Sequence, residues 1–347
     1  MAYLNLPIAA QEATKVILKN LPSKRMRDIL EKRFGLKGPR KQTLEAIGKE
    51  YKITRERVRQ IEADALRHLR REDNLKEIKP VFDSLHNHIK NHGAVMAEHH
   101  VLASSGDRKN HPHVSLLLSV GDIFHFVPES DSYHSAWVVD QNAAAKMKKI
   151  SQDLVESLEA QEKPFSKENL RELFDKQVNT VFAGIPSEQV FEATLALSKS
   201  VSRNPYGEYG LVNWSSISPR GIKDKAYVAL SKNGQAMHFL KIAEAINNAG
   251  WSSHKAHPQT VHNELIKDSR FVLVGRGLYA LKEWGYEPGV IRDVLVSVLK
   301  NTGHPMSKED IIRTVMSKRF VKPPTIMLNL QNKNLFRKTE NGDYFLA

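Results

Sequence analysis

A triplet of apolar residues recurs four times along this chain, always with internal spacings of four and then six residues. The sets are Val114–Leu118–Phe124, Phe191–Leu195–Val201, Val261–Leu265–Phe271 and Ile326–Leu330–Phe336. Eight or nine residues after each set stands a tyrosine: Tyr133, Tyr209, Tyr279 and Tyr344. Trp137, Trp214 and Trp284 follow the first three of these. Such a register points to four copies of one unit. The first two positions of each triplet share a helix face. The third opens a short β-branched or aromatic run, a turn follows, and a second strand carries the tyrosine. Two further helical patterns lie upstream, for example at 242–249, or at 290–299 with 308–316. Three helices feeding a hairpin make a winged helix. The triplets are expected in its core, with the tyrosines and tryptophans packing the hairpin.

The chain has 347 residues and a formal net charge of +13, which favours a polyanionic partner. Residues 1–78 hold 19 Lys and Arg against 11 Asp and Glu, so +8 of that charge sits at the N-terminal end. There, residues 43–71 read TLEAIGKEYKITRERVRQIEADALRHLRR. Leu44, Ile47 and Tyr51 repeat at helical spacing, as do Val58, Ile61, Ala65 and Leu69. Thr43 and Thr54 stand where a hydroxyl caps a helix. Two helices with a tight turn between them predict a helix-turn-helix. Its second helix presents Arg55, Glu56, Arg59 and Gln60 at the end that enters a major groove, where Arg reads guanine, Gln adenine and Glu cytosine. Thr54, Arg57, Arg67, Arg70 and Arg71 are placed for phosphates. A solvated helix pairing Arg with Glu is the plainer reading of the same charges.

The order of residues favours the first reading. TRERVRQIEADALRHLR resembles region 4.2 of the sigma-70 transcription initiation factors, and LPSKRMRDILEKRFGL at 21–36 resembles the preceding region 4.1 helix. The resemblance implies recognition of a promoter −35 element and docking on the β-flap of bacterial RNA polymerase, with Arg55, Glu56, Arg59 and Gln60 on the base-reading positions. Asp64 departs from the family, where a basic residue often stands. No segment resembles the promoter-melting region 2, so the chain is not expected to open promoters alone.

The third repeat, AMHFLKIAEAINNAGWSS followed by TVHNELIKDSRFVLVGRGLYALKEWG, resembles the HARE-HTH domain of chromatin proteins, restriction systems and the RNA polymerase delta subunit. The expected fold class is mainly α with short β-hairpins: a helix-turn-helix at 1–75, then winged-helix units at 76–140, 141–220, 221–285 and 286–347. Polar linkers are expected at 71–76 and 215–221. In the third unit Gln259, His262, Asn263, Lys267 and the turn residue Arg276 are candidate nucleic-acid contacts; a solvated wing tip is the alternative for Arg276. The third helix of the second unit, PSEQVFEATLALSK, is poor in basic residues.

Cysteine is absent, which removes disulfides, thiolate metal sites and cysteine nucleophiles. Seven histidines fall between His86 and His113, but without HExxH order, so they read as a polar face rather than a metal site. No Walker loop or GxSxG is present, and the GRG at 275–277 is a turn. The expectation is therefore no enzyme, no cofactor and no metal. No apolar run spans a membrane. The function expected is a cytoplasmic, nucleoid-associated transcription regulator whose partners are double-stranded DNA and RNA polymerase. Two alternatives stand beside it: a delta-like polymerase accessory acting through protein contacts, and the DNA-reading subunit of a restriction system.

Overall fold

The computed structural model describes residues 3–38, 40–178, 188–286, 289–319 and 321–347. The fold is mainly helical with small antiparallel strand pairs. The N-terminal segment carries α1 (Ala10–Lys19), α2 (Lys24–Phe34), α3 (Leu44–Tyr51), α4 (Arg55–Leu69) and the short α5 (Glu72–Leu75). Then come α6 (Lys79–Asn91), β1 (Val95–Ala97), α7 (Glu98–Ser104), α8 (His111–Val120), β2 (His125–Val127) and β3 (Ala136–Val138). The second repeat has α9 (Gln141–Gln161), α10 (Lys167–Val178), α11 (Glu188–Leu197), β4 (Val201–Arg203) and β5 (Tyr209–Leu211). The third has α12 (Ile222–Asn233), β6 (Met237–His238), α13 (Phe239–Ala249), α14 (Pro258–Lys267), β7 (Phe271–Gly275) and β8 (Leu278–Leu281). The fourth has α15 (Ile291–Thr302), α16 (Lys308–Lys318), α17 (Pro323–Leu330), β9 (Phe336–Lys338) and β10 (Tyr344–Leu346). Pro186 and Ser187, which open the sequence pattern of the second repeat's third helix, lie outside the described residues. The chain divides into two compact units, residues 1–202 with 209–212 and residues 203–208 with 213–347.

The triplets lie where their spacing requires. Eleven of the twelve residues are buried, each apolar side chain contributing on the order of 1.5–3 kcal/mol. Leu195 is the exception: it is half-buried, and Leu197 on the same helix fills the core instead. Each repeat also has an extended residue immediately before its second helix, paired with the last strand. Met237 lies opposite Tyr279 in the sheet β6–β8–β7, and Phe165 and Met306 bridge to Tyr209 and Tyr344. In the first repeat the pairing is Met96 with Trp137, in the sheet β1–β3–β2. Tyr133 is thus not the strand residue of that repeat. It precedes β3, bridges to Ser198 and donates its hydroxyl to the Lys148 carbonyl at 3.0 Å.

In the first unit, α1 was not evident from the sequence. Its buried face, Ala10, Ala13, Ile17 and Leu18, joins one core with Ala65 and Leu69 of α4 and with Leu85, Val114, Leu117 and Leu118. Within residues 71–76, read as a linker, Glu72–Leu75 form a helix and Lys76 opens a 3-10 turn, and Leu75 packs against this same core. Two of the histidines do not belong to a polar face. His92 and His100 are buried, and the His88 and His92 rings lie 4.4 Å apart. His92 Nδ1 lies 2.7 Å from the His88 carbonyl. No group of three or more His, Asp or Glu among the described residues is arranged to hold a metal ion, and no described helix is long and apolar enough to cross a membrane.

Candidate nucleic-acid interface

The helix-turn-helix has its own small core of Ile29, Ile47, Val58 and Ile61, drawn from α2, α3 and α4. Local chemistry fixes the turn. Thr43 Oγ1 accepts from the Ala46 amide and Thr54 Oγ1 from the Arg57 amide, each at 3.1 Å, which satisfies helix N–H groups that lack partners. Lys52 takes the left-handed conformation (φ 54°), and the Ile53 amide returns to the Gly48 carbonyl at 2.9 Å. The chain passes so close that a Cβ on Gly48 would lie 2.7 Å from the Ile53 carbonyl oxygen. Around this core, Tyr51 donates to the Asp28 carboxylate, and Arg33 pairs with Glu62 at 3.2 Å.

Because Val58 and Ile61 face inward, the opposite side of α4 is open. Thr54, Arg55, Glu56, Arg57, Arg59 and Gln60 are all exposed at its N-terminal end. They do not all stand apart from one another. Arg59 holds Glu56 through Nη2 at 2.7 Å and Nε at 3.0 Å, and Arg57 donates to the Gln60 side-chain oxygen at 3.0 Å. The Arg59 guanidinium holds the Glu56 carboxyl below the usual carboxylate range, so Glu56 is an anion and an acceptor. Lys49 and Lys52 line one shallow depression with Arg55. The sequence pattern had not singled out these two lysines, although their place in and just before the turn is the signal that brings them beside Arg55.

The remaining arginines of α4 lie elsewhere. At about 1.5 Å per residue, Arg67, Arg70 and Arg71 are roughly 18–24 Å along the helix axis from Arg55. Arg67 pairs with Asp64 at 2.9 Å. Arg70 donates to the Ser119 carbonyl at 2.9 Å and lies 3.4 Å from Asp122, which ties α4 to the end of α8. Arg71 is exposed.

In the third repeat, α14 exposes Gln259, Asn263 and Lys267. Gln259 donates to Asn263 at 3.3 Å, and Lys267 pairs with Glu264 at 3.4 Å. His262, expected to face outward, is half-buried instead: its Nδ1 lies 3.1 Å from the Tyr279 hydroxyl and its ring packs on Phe239. Arg276 is exposed at the tip of the β7–β8 turn. At the other end of this hairpin, Asp224, Asp268 and Arg270 clamp α12 to the end of α14, with the guanidinium 2.9 and 2.7 Å from the two carboxylates.

Comparison with known proteins matches this geometry to two helix-turn-helix families. Residues 17–71 match the family described as sigma-70, region 4. Residues 220–284 match HARE-HTH, the helix-turn-helix domain named for its occurrence in ASXL proteins and restriction endonucleases. Among curated proteins, RNA polymerase sigma factor SigA of Clostridium acetobutylicum is 48% identical over 64 residues, which is 18% of this chain and 17% of that protein. The chain therefore carries two helix-turn-helix modules of DNA-binding type, the first related to sigma factors, and it spans only about a sixth of the length of that curated relative.

Proposed function

We propose that this protein is a transcription regulator that reads a −35-like promoter element with the N-terminal end of α4 and associates with bacterial RNA polymerase. The observation that carries this reading is the exposed cluster Arg55, Glu56, Arg59 and Gln60, held on a helix whose other face is locked into a core. Arg55 and Gln60 take guanine and adenine edges, and Glu56 takes cytosine. Thr54 and Arg57 contact the adjoining phosphates, while Arg67, Arg70 and Arg71 serve the backbone farther along. The polymerase β-flap is the docking surface, as the region 4 match suggests. Winged-helix units at 76–140, 141–220, 221–285 and 286–347 follow the module at 1–75 and add avidity. The setting is the cytoplasm, on the nucleoid.

The test is binding to a −35 duplex and a scrambled duplex at two salt concentrations, with the Arg55→Ala/Gln60→Ala variant alongside. A preference for the −35 duplex that the variant loses, worth about 1–3 kcal/mol for each base contact, supports the reading. Equal, steeply salt-dependent binding to both duplexes overturns it.

A second reading is favoured by one observation. Neither α11 (EQVFEATLAL) nor α17 (PPTIMLNL) carries a single Lys or Arg. Third helices without cations suit protein contacts better than phosphates, so these two units act on the polymerase or a second regulator.

A further inference from the structure

A groove within the first unit lies apart from the Arg55–Gln60 cluster, with Arg70 at its edge. One part of it, of about 400 Å³, has walls from Phe34, Phe124, Phe126 and Trp137. Its neighbour, of about 330 Å³, is lined by Arg40, Lys41, Arg108, Lys109 and His111. Phe34, Lys41 and Ser115 line both, so the two parts adjoin at these residues. Each falls in the size range of small-molecule sites, ~300–1,000 Å³.

Two buried polar atoms of the groove lack partners. Trp137 is 5% exposed and Ser115 4% exposed, and neither Trp137 Nε1 nor Ser115 Oγ has a hydrogen bond. Buried indoles and hydroxyls ordinarily find one, because an unpaired donor keeps the full cost of losing water. His111 Nε2 is likewise unpartnered. Among the described residues Arg40, Lys41, Arg108 and Lys109 have no ion-pair partner, as is common for the exposed cations of this chain, so all four charges are available at the groove. Phe126 is 48% exposed beside Trp137, their ring centroids 5.0 Å apart.

The missing partner must satisfy all of these features. Aromatic walls with an N–H and an O–H to spare suit a flat heterocycle that carries acceptors. Adjacent unpaired cations suit phosphate oxygens. We propose that this groove binds a nucleotide. Its base packs against Phe126 and accepts from Trp137 Nε1 and Ser115 Oγ. Its phosphates lie against Lys41, Arg40, Arg108 and Lys109. The nucleotide is either free in solution or part of a single strand. The site does not depend on promoter reading, since it shares no residue with the Arg55–Gln60 cluster.

The experiment titrates the full-length chain, by fluorescence anisotropy, with N-methylanthraniloyl-labelled ATP and with a labelled oligothymidylate. Unlabelled ATP and inorganic triphosphate serve as competitors. The expected result is saturable binding of at least one probe, about tenfold weaker in Phe126→Ala, in Ser115→Ala and in Arg108→Glu/Lys109→Glu. Inorganic triphosphate should compete more weakly than ATP. Binding of labelled ATP alone identifies a free nucleotide as the source, and binding of the oligonucleotide alone identifies a strand. Phe126 is a surface residue, so its variant reads the site without a folding defect, and circular dichroism melts check the others. Binding to the −35 duplex, measured in parallel, should be unchanged in Phe126→Ala. Conversely, Arg55→Ala/Gln60→Ala should leave nucleotide binding intact, so failure of either reading is seen separately. Absence of saturable binding by both probes, or inorganic triphosphate competing as well as ATP, overturns the proposal.

Discussion

Glu56 grips Arg59 across one turn of α4, with Arg59 Nη2 2.7 Å from one carboxylate oxygen and Nε 3.0 Å from the other. Both residues are exposed, so the pair adds little stability and instead sets which charges the open face of the helix presents. Replacing Glu56 with alanine frees the guanidinium. Glu56→Ala should bind the scrambled duplex more tightly, with a salt dependence steeper by about one released counterion. An unchanged slope in a salt titration would mean that Arg59 does not reach the backbone once released.

Acid should loosen the first unit. Burial pushes the His88 and His100 imidazoles down to about 4, with repulsion from His92 adding to it and Glu192 opposing it at His100. In an unfolded chain the same groups take up protons near the ordinary value of ~6.5. Between those values the unfolded state binds more protons, so stability is complete above about pH 6.5 and declines as the pH falls toward about 4. Urea midpoints measured from about pH 7.5 to about 5 should decrease. The decline should be shallower in a His88→Leu variant, and identical profiles would locate the acid sensitivity elsewhere.

Arg270 stands between two carboxylates whose side chains are only 14% and 13% exposed, Asp224 and Asp268. Arg270→Met removes the shared cation and leaves both anions partly buried. Since the guanidinium is a third exposed, the loss should be about 1–3 kcal/mol, below that of a fully buried pair. Hydrogen exchange on the full chain should accelerate in α12 and α14. Protection equal to wild type would show that the clamp is dispensable.

Gly277 holds a positive φ of 68° at the β7–β8 turn, and a Cβ there would lie 2.4 Å from His238 Nε2. That ring cannot simply swing away, because its Nδ1 caps α13 by accepting from the Leu240 amide at 3.3 Å. Gly277→Ala should cost about 1–2 kcal/mol through backbone strain and a disturbed cap. A melting temperature within error of wild type would contradict this.

The sequence carried much of this architecture, because a helix that docks on a strand pair must space its apolar residues rigidly. Val261, Leu265 and Phe271 could be placed for that reason. The extra extended residue before each second helix was hidden, since its distance from the triplet is not constant: Met96 precedes Val114 by 18 residues, and Phe165 precedes Phe191 by 26. The second helix differs in length between these repeats, 7 residues in α7 against 12 in α10. The capped and exposed N-terminal end of α4, from Thr54 to Gln60, was legible, because capping and amphipathicity act locally. The inward turn of His262 was not, since it depends on Tyr279, seventeen residues away and on another strand. The groove at Ser115 and Trp137 left no sequence signal, as its walls come from segments far apart in the chain.

The buried face of α4 changes partners along its length. Val58 and Ile61 belong to the helix-turn-helix core, while Ala65 and Leu69 belong to the core that α1 and α8 share. One rigid rod thus threads two cores, and the segment that follows is bolted to the helix-turn-helix rather than tethered to it. On the proposed reading, any surface of that segment would reach the double helix with its rotational phase already set, so no linker freedom would be lost when a second contact forms. A partner site displaced by half a helical turn would then be out of register with it.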